Sequence, residues 1–220
     1  MIANGSAEEP RSIRAGGPRS VSVVSGVRDF QKKWIRPSLR RLGLAMTDLA
    51  VTILPETADD ALAIEHLHER TYGPGRYARS AYRLREQIGH LLALSFTARI
   101  GTLLVGSVRL TPIRVGETPG LILGPLSIEP PFRKRGIGRK LLERALAAAR
   151  AEGHRLVFLV GDEPYYDKVG FKRVPKGRVT LPGPVDPARI LVAELDEGAF
   201  ENVSGAIWPN WDAASHRPAG

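Results

Sequence analysis

The feature that most constrains the fold is a strand–loop–helix–strand pattern between residues 121 and 160. Residues 121–128 form an apolar run of strand length, and residues 139–152 place leucine and alanine on one helical face before Gly153. Residues 156–160 are uniformly apolar, which is typical of a strand buried on both faces. The pattern predicts two parallel strands joined by a helix, with a loop where α/β sheets bind ligands.

That loop has the sequence Arg133-Lys134-Arg135-Gly136-Ile137-Gly138, and Arg139 and Lys140 follow it. Glycine has no Cβ, so the backbone can turn tightly and direct successive N–H groups at a ligand. The start of a helix also favours an anion. The loop therefore predicts a diphosphate site, although it matches neither a P-loop nor a dinucleotide fingerprint. A solvated basic turn is the alternative.

The residues on either side of this loop strengthen the prediction. Pro125 lies inside a strand, where proline is tolerated only if the hydrogen-bond ladder is interrupted. The interruption would leave backbone groups at residues 126–128 for an extended, amide-bearing ligand. Tyr165 and Tyr166 follow the second strand, and a phenol there can protonate a departing thiolate. Alternatively, both tyrosines are packing residues.

Composition excludes several classes of protein. The 220-residue chain is 43% hydrophobic and has no apolar run of membrane-spanning length, which predicts one cytoplasmic domain with no membrane partner. The absence of cysteine excludes thiolate chemistry and disulfides. His66 and His68 fall on different helix faces, and we predict no metal.

The net charge of +9 is concentrated at the N-terminus. Residues 1–45 contain nine Lys or Arg and three Asp or Glu, so they contribute two thirds of the excess. We interpret residues 1–45 as a basic, disordered leader, with Met46 as a possible alternative start. A weak amphipathic anchor or targeting peptide is the other interpretation. Because the rest of the chain has little excess charge, no nucleic-acid partner is predicted.

The remaining elements are predicted from apolar periodicity. Helices are expected from Thr57 to Tyr72 and over residues 78–88, with Leu84 and Ile88 facing inward. Trp208 and Trp211 are expected to hold a polar C-terminal tail, residues 201–220, against a folded domain of residues 46–200. Further strands are expected at residues 50–54, 91–100, 102–115 and 190–195.

Residues 123–171 resemble the GNAT superfamily of N-acetyltransferases, in the branch of predicted bacterial enzymes. The resemblance rests on L-G-P-L-S-I, R-x-x-G-x-G at Arg133, and Y-x-x-x-G-F at Tyr166. It implies an α/β fold: a mixed sheet, antiparallel at first and splayed between its fourth and fifth strands, with helices on both faces. It also implies acetyl-CoA as cosubstrate in the splay, bound by Leu126, Ser127, Ile128, Arg133, Lys134, Arg135, Gly136, Ile137, Gly138 and Arg139.

The reaction that this resemblance implies is direct attack of an amine on the acetyl thioester. Tyr166 falls at the position of the general acid, and Glu129 is the predicted general base, with Glu65, Glu69 and His68 as other candidates. The acceptor is expected to be a small-molecule or protein amine, and the protein a monomer or homodimer. A longer acyl-CoA as the preferred donor is an alternative to acetyl-CoA. The competing hypotheses are a noncatalytic CoA-binding sensor and a nucleic-acid binder.

Overall fold

The computed structural model describes residues 50–73, 84 and 88–214, all within the unit Thr47–Gly220. The predicted leader, Met46 and most of the predicted helix over residues 78–88 lie outside the described residues. Leu84 and Ile88 are described, and both are buried as predicted. None of the helices in this part of the chain has the length and hydropathy needed to span a membrane.

The described chain alternates strands with four α-helices and several short 3-10 turns. The helices are α1 (Ala61–Tyr72), α2 (Ile137–Ala151), α3 (Glu163–Tyr166) and α4 (Trp211–Ala214). The strands are β1 (Thr52–Pro55), β2 (Phe96–Ile100), β3 (Leu103–Val115), β4 (Thr118–Ile128), β5 (Leu156–Val160), β6 (Lys172–Arg173), β7 (Val179–Thr180), β8 (Ile190–Glu194) and β9 (Gly205–Pro209).

The nine strands form a mixed sheet in the order β1-β2-β3-β4-β5-β8-β6, and β9 pairs with both β3 and β7. The pairs from β1 to β4 are antiparallel, β4 and β5 are parallel, and β5 and β8 are antiparallel. The parallel pair flanks α2, as the strand–loop–helix–strand pattern requires. The predicted mixed α/β architecture is therefore confirmed.

Helices cover both faces of the sheet, as predicted. On one face, Leu104 of β3 forms a small core with Ile64 and Leu67 of α1. On the other, Leu141 of α2 belongs to the largest core cluster, together with Val108 of β3. Because the register of β3 shifts between Leu104 and Val108, these two side chains face opposite layers of the fold.

Two extra residues change which face the later side chains of β3 and β4 occupy. In β3, Val105 is the extra residue, since Leu104 pairs with Arg99 but Gly106 pairs with Ala98. In β4, the extra residue lies at Gly124-Pro125, a cis peptide bond, where the pairing with β3 shifts. As a result Leu126 and Ile128 pack against the α2 core, and Ser127 pairs with Ser107 on the α1 face.

Two sequence predictions differ from the observed elements. Residues 91–95 contain a 3-10 turn, Leu92–Leu94, instead of the start of a strand. The Ser95 hydroxyl donates to the Leu91 carbonyl at 2.8 Å and accepts from the Leu110 N–H at 3.3 Å, so it replaces ladder bonds locally.

The second difference concerns the predicted tail. Residues 205–209 form strand β9, which pairs with residues 113–115 of β3. Ile207 is fully buried, whereas Trp208 and Trp211 are 58% and 56% exposed. Backbone pairing and Ile207 therefore hold this segment to the sheet, and the indole rings contribute little burial.

Candidate active site

The sheet opens between β4 and β5. Their pairing is limited to Leu121 and Ile122, opposite Val157 and Phe158, although β4 continues to Ile128. The predicted splay is therefore confirmed, and Pro125 lies where the ladder has already parted. The edge of β4 beyond Ile122 is left for other partners.

Hydrogen bonds to two carbonyls show which way the backbone groups of this edge point. The Tyr72 hydroxyl donates to the Leu126 carbonyl, and Arg133 Nε donates to the Ile128 carbonyl at 3.2 Å. In an antiparallel strand the N–H and C=O of one residue point the same way, so the N–H groups of Leu126 and Ile128 also face the opening. This part of β4 can therefore pair with an extended ligand.

The opening is continuous with a cavity of about 600 Å³. Its walls come from the end of α1, the end of β4, the loop before α2, the first turns of α2, and the segment after β5. Its lining consists of Thr71, Tyr72, Leu126, Ile128, Phe132, Arg133, Lys134, Gly136, Ile137, Gly138, Arg139, Leu142, Tyr165, Tyr166, Lys168 and Val169.

The loop before α2 has the backbone conformation of an anion site. Lys134 and Gly136 have positive φ angles of 62° and 77°, and alternation of left-handed and ordinary residues makes neighbouring N–H groups converge. Gly136 is the N-cap of α2 and provides no side-chain acceptor for the first-turn N–H groups. The helix start and its dipole therefore favour a negatively charged ligand here.

The basic side chains around the loop have different surroundings. Arg139 Nε is 2.7 Å from Glu143 Oε1, one helical turn away. The Arg135 guanidinium lies 5.7 Å from the centre of the Phe132 ring. Arg133, Lys134 and Arg139 line the cavity, and Arg135 does not.

Two glycines make room for the paired tyrosines. A Cβ at Gly138 would overlap the Tyr165 hydroxyl, and a Cβ at Gly161 would overlap the Tyr166 ring. Tyr165 and Tyr166 pack edge to face, with ring centres 4.9 Å apart. Gly138 and Gly161 therefore let both phenols reach the wall opposite β4.

Tyr166 is the more enclosed of the two phenols, and its ring also packs on Phe171 with centres 5.9 Å apart. Burial, and then the proximity of Tyr72 and Tyr165, raise the pKa of Tyr166 well above its usual value of 10. Burial alone also raises the pKa of Tyr165. Both phenols retain their protons near neutral pH, so Tyr166 presents a protonated hydroxyl to the cavity.

Three predicted site residues do not line the cavity: Ser127, Arg135 and Glu129. Ser127 is buried on the α1 face, and its N–H and C=O point towards β3, so it does not contribute to the open edge of β4. Glu129 Oε1 is bound by Arg70 of α1, at 2.7 Å from Nε and 2.6 Å from Nη2. This ion pair joins the last turn of α1 to the end of β4.

The other candidate bases lie on α1. His68 is buried, with Nδ1 3.5 Å from Glu65 Oε1, and Glu69 is exposed. Within the part of the chain that the structure describes, no three His, Asp or Glu side chains form a group that could hold a metal ion.

Sequence reasoning assigned no role in the site to several lining residues, of which Thr71, Tyr72 and Lys168 are polar. Tyr72 reaches β4 from the end of α1, and Lys168 comes from the 3-10 turn Asp167–Val169. Only Tyr72 could have been suspected from the sequence, because it is an aromatic residue at the end of the predicted helix, just before a glycine.

Comparison with known proteins places the cavity within one family. The family model for the acetyltransferase (GNAT) family matches residues 61–171, half of the chain. The Escherichia coli (strain K12) protein named uncharacterized N-acetyltransferase YjhQ is 31% identical over 117 residues. The match covers 51% of this chain and 65% of YjhQ, slightly less than two thirds of that relative.

The fold is shared with a solved structure. The crystal structure of the GNAT family N-acetyltransferase YhbS from Escherichia coli in complex with CoA matches with a TM-score of 0.64 and 24% identity, over 74% of this chain and 91% of YhbS. A GNAT family acetyltransferase from Brucella melitensis in complex with acetyl-CoA has a TM-score of 0.49 and 27% identity, over 69% and 99% of the chains.

The region that the family model matches begins at the first residue of α1 and ends at Phe171. Every residue that lines the cavity falls inside it. The chain therefore belongs to the GNAT family of acetyltransferases.

Proposed function

We propose that the protein transfers an acetyl group from acetyl-CoA to an amine by direct attack of the amine on the thioester. One observation carries the proposal: a single cavity contains the open edge of β4, the anion-binding loop before α2 and the protonated phenol of Tyr166. An amide-bearing chain, a diphosphate and a thiolate leaving group each find a complementary feature there. YhbS, whose structure contains CoA, has the same fold.

The residues present fit such a cosubstrate. Leu126 and Ile128 would pair with the pantetheine arm through backbone groups, whereas the backbone groups of Ser127 point towards β3. The converging N–H groups at Gly136 to Gly138 would hold the diphosphate. The cationic side chains of Arg133, Lys134 and Arg139 would surround it, with Arg135 at greater distance.

Acetyl-CoA supplies the acetyl thioester. The N–H of Ile128 faces the opening, where it would polarise the acetyl carbonyl as an oxyanion-hole donor does. Tyr166 would donate its proton to the departing sulfur. Its raised pKa ensures that the proton is present over the neutral and mildly alkaline range. No covalent intermediate with the protein is needed.

The amine must lose a proton before it attacks, and Glu129 is the predicted base. Both contacts from Arg70 are made to Glu129 Oε1, so Oε2 is the oxygen that would accept a proton. Glu129 lies outside the cavity lining, and the transfer would therefore use an intervening water. We expect a small-molecule or protein amine acceptor and a cytoplasmic location, with the protein acting as a monomer or homodimer.

Ligand-induced stabilisation tests the cofactor. Acetyl-CoA at about 100 times its dissociation constant should stabilise the fold by about 2.7 kcal/mol, which raises the Tm by roughly 5–10 °C for a chain of this size. A DNA oligonucleotide at equal concentration serves as the control and should have a smaller effect. A protein that acetyl-CoA, CoA and longer acyl-CoA all fail to stabilise would contradict the proposal.

A screen of amines for CoA thiol release tests the reaction itself. Turnover with at least one amine, together with acetylated product by mass spectrometry, is the expected result. Stabilisation by acetyl-CoA without turnover on any amine class would favour the noncatalytic sensor.

A further inference from the structure

The proposed mechanism leaves a buried titratable residue without a role. His68 of α1 is 1% exposed, and its Nε2 lies 3.4 Å from the Ser107 hydroxyl of β3. Its Nδ1 lies 3.5 Å from Glu65 Oε1. This contact is within ion-pair distance but does not have hydrogen-bond geometry. In the tautomer with the proton on Nδ1, Nε2 is the acceptor on the Ser107 side.

Polar groups continue from His68 towards the cavity. Ser107 is paired with Ser127 at the end of β4, on the α1 face of the sheet. Among the described residues, the Ser127 and Thr71 hydroxyls are buried without a hydrogen-bond partner. Thr71 lines the cavity. Buried hydroxyls without a protein partner are usually satisfied by ordered water, so Thr71, Ser127 and Ser107 define a polar path between the cavity and His68.

The path reaches solvent at its other end. The side chain of Glu65 is 42% exposed, and its Oε1 is 3.6 Å from Arg109 Nη1. Among the described residues, the charged or titratable groups that face His68 are Glu65 and Tyr72 from α1, and Arg109 from β3 by way of Glu65. The rings of His68 and Tyr72 have centres 6.4 Å apart. The β4 residue paired with Ser107 is Ser127, which is uncharged.

We propose that His68 is a proton-relay residue that takes the proton of the acceptor amine in place of Glu129. The proposal rests on the proposed acetyl transfer. The ammonium form of the acceptor gives one proton to the path at Thr71 and Ser127, Ser107 passes a proton to His68 Nε2, and His68 releases its Nδ1 proton to Glu65 and solvent. The amine nitrogen then forms the C–N bond, the C–S bond breaks, and Tyr166 protonates the sulfur.

The remaining protons balance. The second proton of the attacking nitrogen returns through water to the Tyr166 phenolate, so each turnover releases one proton to solvent. His68 must be neutral to accept a proton, and the rate should therefore fall at low pH.

The test is the pH dependence of kcat/KM for acetylation by the full-length chain, with His68→Gln and the matched control His66→Gln on the exposed face of the same helix. Glutamine cannot titrate. At pH 7 we expect His68→Gln to lose about 100-fold in kcat/KM, the usual size of a general-base effect. The loss should shrink steadily as the pH rises, because hydroxide replaces the relay, and His66→Gln should match the parent at every pH.

A merely structural role for His68 predicts a different result. The loss would then be the same at every pH, and that outcome would overturn the relay. An unchanged profile in His68→Gln, with the acidic limb abolished instead in Glu129→Gln, would also overturn it.

Ser107→Ala provides a second variant in case His68→Gln does not fold. This variant removes the Ser107 hydroxyl from the path but keeps His68. Its kcat/KM should show the same pH-dependent loss as His68→Gln. A pH profile identical to the parent's would contradict the proposal. Thermal shift with acetyl-CoA separates this test from the proposed function, because cofactor stabilisation should be equal in both variants and the parent. A parent protein with no acetyl transfer on any amine would refute the proposed function and, with it, the relay.

Discussion

The hydroxyl of Tyr72 donates a hydrogen bond to the carbonyl of Leu126, 54 residues further along the chain. The bond fixes the last residue of α1 to the open edge of β4. The neighbouring ion pair joins Arg70, two residues before Tyr72, to Glu129, three residues after Leu126. The wall between the helix layer and the proposed cofactor edge is therefore held at two points.

Tyr72→Phe tests the first of these points. Removal of the hydroxyl leaves the Leu126 carbonyl without this donor, and we expect the free energy of unfolding to fall by about 1 kcal/mol. The corresponding decrease in Tm is roughly 2–4 °C. Calorimetry without ligand measures it. A Tm equal to that of the parent would show that water replaces the phenol at no cost.

Tyr166→Phe tests the proposed acid. The variant keeps the ring that packs on Phe171 and loses only the proton donor, so we expect kcat to fall about 100-fold with an unchanged Tm. Because burial raises the pKa of Tyr166, the parent should show no alkaline limb from this group below about pH 10. Tyr165→Phe is the comparison, with a smaller effect on kcat. Equal turnover in Tyr166→Phe and the parent would exclude the acid role.

Lys168→Ala tests a cavity residue that the sequence did not indicate. Its ammonium group can contact a phosphate, and loss of one exposed charge contact of about 1 kcal/mol should weaken CoA binding roughly fivefold. Isothermal titration calorimetry gives the dissociation constant. Lys176→Ala removes an exposed lysine outside the cavity lining and should bind CoA like the parent. Equal affinities in the two variants would contradict a phosphate contact.

Glu56 should make stability depend on acidic pH. Burial acts to raise its pKa, but hydrogen bonds from His90 and Arg109 outweigh it, so the pKa is lowered from its ordinary 4.5. A lowered pKa contributes stability that is present above about pH 4.5 and is lost as the pH falls through the folded-state value. Glu56→Gln should cost about 3 kcal/mol at pH 7, because it breaks a buried ion pair.

The Tm difference between Glu56→Gln and the parent should then shrink as the pH is lowered from 6 to 3. Asp212→Asn changes a carboxylate that is 88% exposed and provides the control, with little effect at any pH. A difference that stays constant down to pH 3 would show that the ion pair does not titrate in this range.

Ile207→Ala measures what holds strand β9 to the sheet. Ile207 is fully buried in the core cluster on the face opposite α2, and its truncation should lower the free energy of unfolding by about 2–5 kcal/mol. Trp208→Ala removes a largely exposed ring of greater size and should change it by no more than about 0.5 kcal/mol. Chemical denaturation of both variants gives the comparison. A larger loss of stability in Trp208→Ala than in Ile207→Ala would instead support the prediction that the tryptophans hold this segment.

The central part of the fold was predictable because its signals are local. The strand, the Gly136-x-Gly138 loop, the amphipathic α2 and the apolar β5 follow one another, so each element limits the next. The resemblance to GNAT proteins rests on the same residues. The splay was expected from the same resemblance, and Pro125 independently predicted an interrupted ladder in β4.

Contacts between distant residues were not predictable from such patterns. Tyr72 and Leu126 meet only because α1 ends beside the open edge of β4, and β9 pairs with β3 across about ninety residues of chain. The surroundings of Glu129 depend on Arg70 in the same way. The role of Glu129 as a base and the residues assigned to the cofactor remain predictions.

The extra residue at Gly124-Pro125 makes the length of β4 a determinant of chemistry. It exchanges the faces that the following side chains occupy, so that apolar Leu126 and Ile128 face the α2 layer and Ser127 faces α1. Deletion of one residue here would exchange the two sets, placing a hydroxyl in the apolar layer and two aliphatic side chains beside His68. Replacement of a side chain cannot produce that exchange. The strand should therefore accept substitutions more readily than any change in its number of residues.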